Sequence, residues 1–201
     1  MKFLDPEWLI STFGMLGILA IVFAESGLLI GFFLPGDSLL FTTGLLVADG
    51  RYLHQPLWLV CLLVSVAAFA GDQFGYLFGR RVGSALFRRP NSRLFKQEHL
   101  AKAQEFFARY GARSIVLARF VPVVRTFTPI VAGTSGMHYR TFVLYNAVGG
   151  ALWGTGVTVL GYFLGQIAFV KSNIELILIG VVVLSVVPIG VEFLRARSRR
   201  R

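Results

Sequence analysis

Residues 26–48 read SGLLIGFFLPGDSLLFTTGLLVA, and residues 114–133 read SIVLARFVPVVRTFTPIVAG. Both are apolar enough for a membrane, yet neither can cross one as a helix. Pro35, Gly36 and Asp37 interrupt the first stretch. The arm that follows, Ser38 to Ala48, has eleven residues, against the ~20 that a hydrocarbon core of ~30 Å requires. The second contains Arg119, Pro122, Arg125 and Pro129, a composition foreign to a lipid-facing helix. Each is predicted to be a re-entrant hairpin that enters and leaves on one side, the first over about 25–48 and the second over about 114–136.

Outward from the hairpins lie four stretches long enough to span: Trp8 to about Ala24, Leu57 to Gly79, Thr141 to Gly165 and Ile174 to Leu194. The whole chain of 201 residues is 55% hydrophobic and only 15% charged, with a mean hydropathy of +0.69, too apolar for an ordinary soluble domain. The expected fold is an all-α integral membrane protein: about four transmembrane helices plus two oppositely oriented hairpins, in one domain over residues 1–194 with a basic tail at 195–201. The opening MKFLDPEW offsets its lysine with Asp5 and Glu7, and no small-residue cleavage site follows. The first apolar segment is therefore expected to be retained. The lone Cys61 excludes a disulfide framework and a multi-cysteine metal site.

A net charge of +10 raises the question of nucleic acid, but the cations flank apolar spans, which is how membrane proteins are oriented. The segment Arg80 to Arg113 holds nine Lys or Arg, and the tail Arg195 to Arg201 holds five. With both on the cytoplasmic side, the second hairpin must open inside, the first outside, and both termini lie in the cytoplasm. Sixteen cations then face inward, against Arg51 and Lys171 outside.

Two hairpins opening to opposite faces imply an inverted repeat, and the sequence carries an echo of one. GYLFG at 75–79 recurs as GYFLG at 161–165, with Pro35 and Pro122 preceding them at almost equal spacing. Inverted repeats with broken helices are the architecture of secondary transporters; the competing explanation is the general abundance of glycine and aromatics in membrane helices. Between the halves, Leu100, Ala103, Phe107 and Tyr110 fall at helical spacing. They predict an amphipathic helix on the cytoplasmic surface within 80–113, as lipid contact or plain connector.

Five charges lie inside the membrane segments: Glu25, Asp37, Asp72, Arg119 and Arg125. Each costs roughly 2.5–3.5 kcal/mol to insert unless paired or hydrated. Counted along a helix from Ser114, Arg119 lies about 7 Å deep and can snorkel to the headgroups, while Arg125 lies about 16 Å deep. The proline-broken tips, Pro35 to Asp37 and Pro122 to Pro129, free backbone groups and are expected to line a hydrated cavity. Guanidinium groups there would grip an anion, phosphate above all, through forked hydrogen bonds. Glu25 and Asp37 are the proton-coupling candidates, because burial and a neighbouring arginine push a carboxylate in opposite directions. Static ion pairing is the alternative for any single pair. Asp72 is the weaker acid, a partner for backbone or arginine across the bundle. His54, His99 and His138 have no second ligand near in sequence, so neither metal nor cofactor is expected.

EsGLLIGFFLPGD at 25–37, GDqfGYlfGRrvG at 71–83 and RFVPVVRTFTPIVAG at 119–133 together resemble the DedA family of bacterial inner-membrane proteins, the bacterial branch of the VTT or SNARE-associated domain. The resemblance covers nearly the whole chain. It implies transport of a polyprenyl phosphate carrier, notably undecaprenyl phosphate, across the cytoplasmic membrane with dependence on the proton gradient. It assigns proton-linked roles to Glu25 and Asp37 and phosphate-linked roles to Arg119 and Arg125. Pro35, Gly36, Asp72, Pro122, Thr126 and Pro129 support them. The implied partners are an anionic lipid, protons and the bilayer, not nucleic acid, and a homo-oligomer is compatible with the chain.

The competing functions are a proton-coupled cation or drug antiporter, a lipid phosphatase and a non-transport assembly factor. The phosphatase lacks a histidine motif to partner the arginines, so an enzyme is not expected. The assembly factor leaves the buried charges unexplained.

Overall fold

The computed structural model describes residues 6–28, 36–50, 53–87, 105, 107, 109–120 and 122–173. Within them the chain is helical, with no strand. The helices are α1 (Pro6–Gly27), α2 (Gly36–Asp49), α3 (Leu57–Phe87), α4 (Arg113–Ala118), α5 (Pro122–Thr134), α6 (Tyr139–Gly165) and α7 (Ala168–Ser172). Among the described residues, two stretches are long and apolar enough to cross a membrane, Leu57–Val82 in α3 and Tyr139–Gly165. The expected last span, 174–194, the basic tail, Pro35 and most of the expected surface helix lie outside the described residues.

Length separates the long helices from the short ones. At ~1.5 Å per residue, α2 and α5 reach only ~20 Å, well under a bilayer core. Each ends at a turn closed by a left-handed glycine, Gly50 (φ 71°) after α2 and Gly136 (φ 75°) after α5, the conformation that only a residue without Cβ adopts cheaply.

Each short helix lies along a long one from the other half of the sequence: α2 against α6, and α5 against α3. Glycines on both sides permit the contact. A methyl group on Gly44 would run into the Thr158 carbonyl, and one on Gly161 into that of Phe41. Likewise Gly79 meets the carbonyl of Ile130, and Gly133 that of Tyr76. Small residues let helix backbones approach closely where lipid offers no hydrophobic drive for association. The two echoed sequences are thus contact sites, each clamping the other half's short helix.

α1 completes the bundle by packing on α3. One core joins Met15, Ile18 and Val22 of α1 with Leu40, Val60, Val64, Ala68 and Trp153. A second gathers Tyr76, Ile115, Ala132 and Phe142; the Tyr76 and Phe142 rings stack with centroids 4.5 Å apart, and the Tyr76 hydroxyl donates to the Met137 carbonyl.

Three expectations are corrected. α1 runs past Ala24 to Gly27, so Glu25 belongs to its last turn rather than to the hairpin. α3 continues through Arg80 and Arg81 to Phe87, because no proline breaks it after Gly79 and both arginines are exposed near the end of its apolar stretch. In the second hairpin α4 stops at Ala118, Arg119 and Phe120 make a turn, and α5 begins at Pro122. Proline cannot extend α4 but is preorganised for the first position of a new helix. The break therefore falls between Ala118 and Pro122, and Pro129 sits inside α5. Of the expected surface helix, Phe107 packs on the second core, and Tyr110 is exposed with Arg109 over its ring.

Candidate functional site

Asp37 sits in the first turn of α2, and Arg125 stands three residues after Pro122 at the start of α5. Charged residues near the N-terminal ends of the two short helices meet. Arg125 Nη1 donates to Asp37 Oδ1 at 2.6 Å. Its Nη2 donates to Glu25 Oε1, in the last turn of α1. One guanidinium thus joins both proton-coupling candidates. Inside α5, Pro129 has no N–H to give to the Arg125 carbonyl four residues back, so the backbone of this turn is left one bond short.

Gly36 lets the start of α2 come close enough to Glu25 for this. A methyl group there would overlap the Glu25 carboxylate, so only glycine admits that side chain beside the start of α2.

Arg119 forms a second pairing. A shallow position would let it snorkel to the headgroups; its side chain is instead 6% exposed and paired with Asp72 on α3, itself 5% exposed. Its Nη2 also donates to Asn146 Oδ1 on α6 at 2.8 Å. The reason lies in the early end of α4, because the turn at 119–120 aims Arg119 at α6, where Gly149 and Gly150 leave room for its guanidinium. Asp72 is therefore Arg119's counter-ion.

Trp153 of α6 lies between the two pairings. Its Nε1 donates to Asp37 Oδ1 at 2.7 Å, the oxygen that Arg125 also holds. Its ring centroid is 4.7 Å from the Arg125 Cζ and 5.8 Å from that of Arg119, within cation–π range of both. The face of α6 carrying Asn146 and Trp153, seven residues apart, was missed in the sequence. An asparagine and a tryptophan deep in a span, away from the interfaces where tryptophan collects, were the available signal.

Three acidic side chains face two guanidiniums, so the acids of the cluster outnumber its cations by one. Glu25, Asp72, Arg119 and Asn146 are buried, whereas the Asp37 side chain is 47% exposed. Asp37 is the most open charged side chain of the cluster. Asn146 Nδ2 has no acceptor among the described residues, which leaves a spare donor beside Arg119. Thr126, Thr128 and Pro129 are buried on α5, with Thr128 Oγ1 donating to the Val124 carbonyl at 2.7 Å. Pro122 opens that helix. Among the described residues no three His, Cys, Asp or Glu side chains are grouped to hold a metal.

Residues 34–163 match the VTT domain, a span that takes in Asp37, Asp72, Arg119, Arg125, Asn146 and Trp153. An uncharacterized membrane protein of Mycobacterium leprae is 46% identical over 188 residues, covering 94% of this chain and 83% of its own. Protein DedA of Escherichia coli is 43% identical over 176 residues, covering 87% of this chain and 80% of its own. The inner membrane protein YqjA of the same species is 35% identical over 149 residues, or 74% and 66% of the two chains. No solved structure matches the chain. With its helical bundle, its paired intramembrane charges and these relatives, the chain belongs to the DedA family of membrane proteins.

Proposed function

We propose that this protein is a transporter rather than an enzyme. It moves an anionic lipid of the polyprenyl phosphate class, undecaprenyl phosphate within it, across the bacterial cytoplasmic membrane, with protons as the coupling ion. The observation that carries the reading is the meeting of Arg125 and Asp37, near the N-terminal ends of two half-length helices, with Glu25. Helix N-termini carry partial positive charge, and half-helix termini meeting at mid-membrane depth are where transporters bind anionic groups. Arg119 with the spare Asn146 donor adds a second anchor for phosphate oxygens. The lipid tail stays in the bilayer while the headgroup exchanges places with Asp37, whose protonation loosens its hold on Arg125.

The topology that serves this function has four spans, hairpins opening outside and inside, and both termini in the cytoplasm. It is supported by the short α2 and α5 and by the crossed packing of each on the other half's long helix.

A second reading is favoured by the pairing itself. With both guanidiniums held by carboxylates, a proton-coupled cation antiporter would use the acids and keep the arginines as structure. The deciding experiment is reconstitution into vesicles with labelled polyprenyl phosphate, following its change of leaflet with and without an imposed proton gradient. Gradient-dependent exchange supports lipid transport; proton flux driven only by an added cation supports the antiporter.

A further inference from the structure

Asp37 Oδ1 accepts two donors at once, Arg125 Nη1 and Trp153 Nε1. Both partners can only donate. An ionised carboxylate suits them best; a proton taken up on Oδ2 leaves Oδ1 a neutral carbonyl oxygen that accepts both bonds more weakly. Protonation thus weakens the hold on Arg125 and on the indole together, and frees the carboxyl to turn toward its open side and release the indole. The ring of Trp153 is 3% exposed and its N–H then needs another partner, so the ring must move. Moving it withdraws the π face from Arg125 and from Arg119 together.

We propose that Trp153 is the positioning residue that conveys the protonation state of Asp37 to both guanidinium groups. Around Asp37 stand Glu25 from α1, Arg125 from α5 and, across the indole, Asp72 of α3 and Arg119 after α4. Of the three acids, Asp37 alone is bonded to Trp153 among the described residues. Arg119 and Arg125 are held by separate carboxylates, so without the indole no direct contact among the described residues carries a change at Asp37 to Arg119. The two arginines would then change their grip at different times. With the indole between them they change together, which suits one phosphate held by two clamps. Only this last step rests on the transport reading.

The test uses the full chain with Trp8→Phe and Trp58→Phe, leaving Trp153 as the one fluorophore. In detergent without lipid substrate, its emission should shift along a single sigmoid as pH is varied. The sigmoid should persist in Glu25→Gln and Asp72→Asn and vanish in Asp37→Asn. Emission flat with pH in the protein with Asp37 intact, or a sigmoid unchanged in Asp37→Asn, overturns the proposal. In vesicles, Trp153→Phe keeps the ring and loses the N–H. It should reach normal abundance yet transport polyprenyl phosphate about tenfold more slowly, with a flattened pH profile; a wild-type profile would again overturn the proposal. An Asp37-dependent sigmoid in a protein that moves no polyprenyl phosphate would uphold the indole linkage and remove the transport reading instead.

Discussion

Gly36 lies directly against the carboxylate of Glu25, so that a single methyl group at position 36 would occupy the space of the acid. The first residue of α2 thus sets where the last turn of α1 can hold its charge, and through it where Arg125 sits.

Gly36→Ala should displace Glu25 without changing any charge. The expected outcome is a protein destabilised by about 1–3 kcal/mol that still inserts, with transport reduced as far as in Glu25→Gln. Gly156→Ala, where a Cβ meets nothing within 4 Å, is the comparison and should stay within about 0.5 kcal/mol of wild type. Thermal unfolding in detergent and vesicle transport measure the two effects. Normal transport by Gly36→Ala would show that the placement of Glu25 is not critical.

The pairing of Arg119 with Asp72 predicts non-additive energetics. Arg119→Ala should destabilise by about 3–5 kcal/mol, because it strands a buried carboxylate. Adding Asp72→Asn should recover part of that loss. A double-mutant cycle by thermal unfolding gives the coupling, and strictly additive losses would mean that the two side chains do not interact.

Much of this site was readable from residue types alone. An apolar stretch with Pro35-Gly36-Asp37 in its middle, and another with two arginines and two prolines, announce half-length helices because such residues cannot face lipid. What the sequence hid was which charge meets which. The turn at Arg119 depends on where α4 stops, and a depth counted along an unbroken helix misplaced that side chain. Trp153 and Asn146 escaped because apolar aromatics and single amides are unremarkable until a helix face is known. The crossed packing of α2 on α6 and α5 on α3 left only its glycines as a trace.

For topology, Cys61→Ser supplies a cysteine-free background. His54 is exposed between α2 and α3, and a cysteine there should react with an impermeant thiol reagent from outside; one at His99 should react only from inside. Labelling of both from one face would remove the opposed hairpins.

For coupling, Glu25→Gln and Asp37→Asn should abolish either transport or its dependence on the proton gradient. Glu105→Gln, at an exposed position away from the cluster, should leave both near wild type. Equal effects from all three would mean that charge in general, rather than this cluster, governs transport.

The central claim is that Arg125 leaves its two carboxylates to hold phosphate with its planar fork. The most direct measurement compares Arg125→Lys and Arg125→Ala for membrane abundance and polyprenyl phosphate translocation in the same vesicles. Lysine keeps the charge but offers a point rather than a fork. The account predicts that the lysine protein inserts at normal abundance and loses most transport, about as much as the alanine protein. Near-normal transport by Arg125→Lys would contradict it and leave Arg125 as a counter-ion for Glu25 and Asp37.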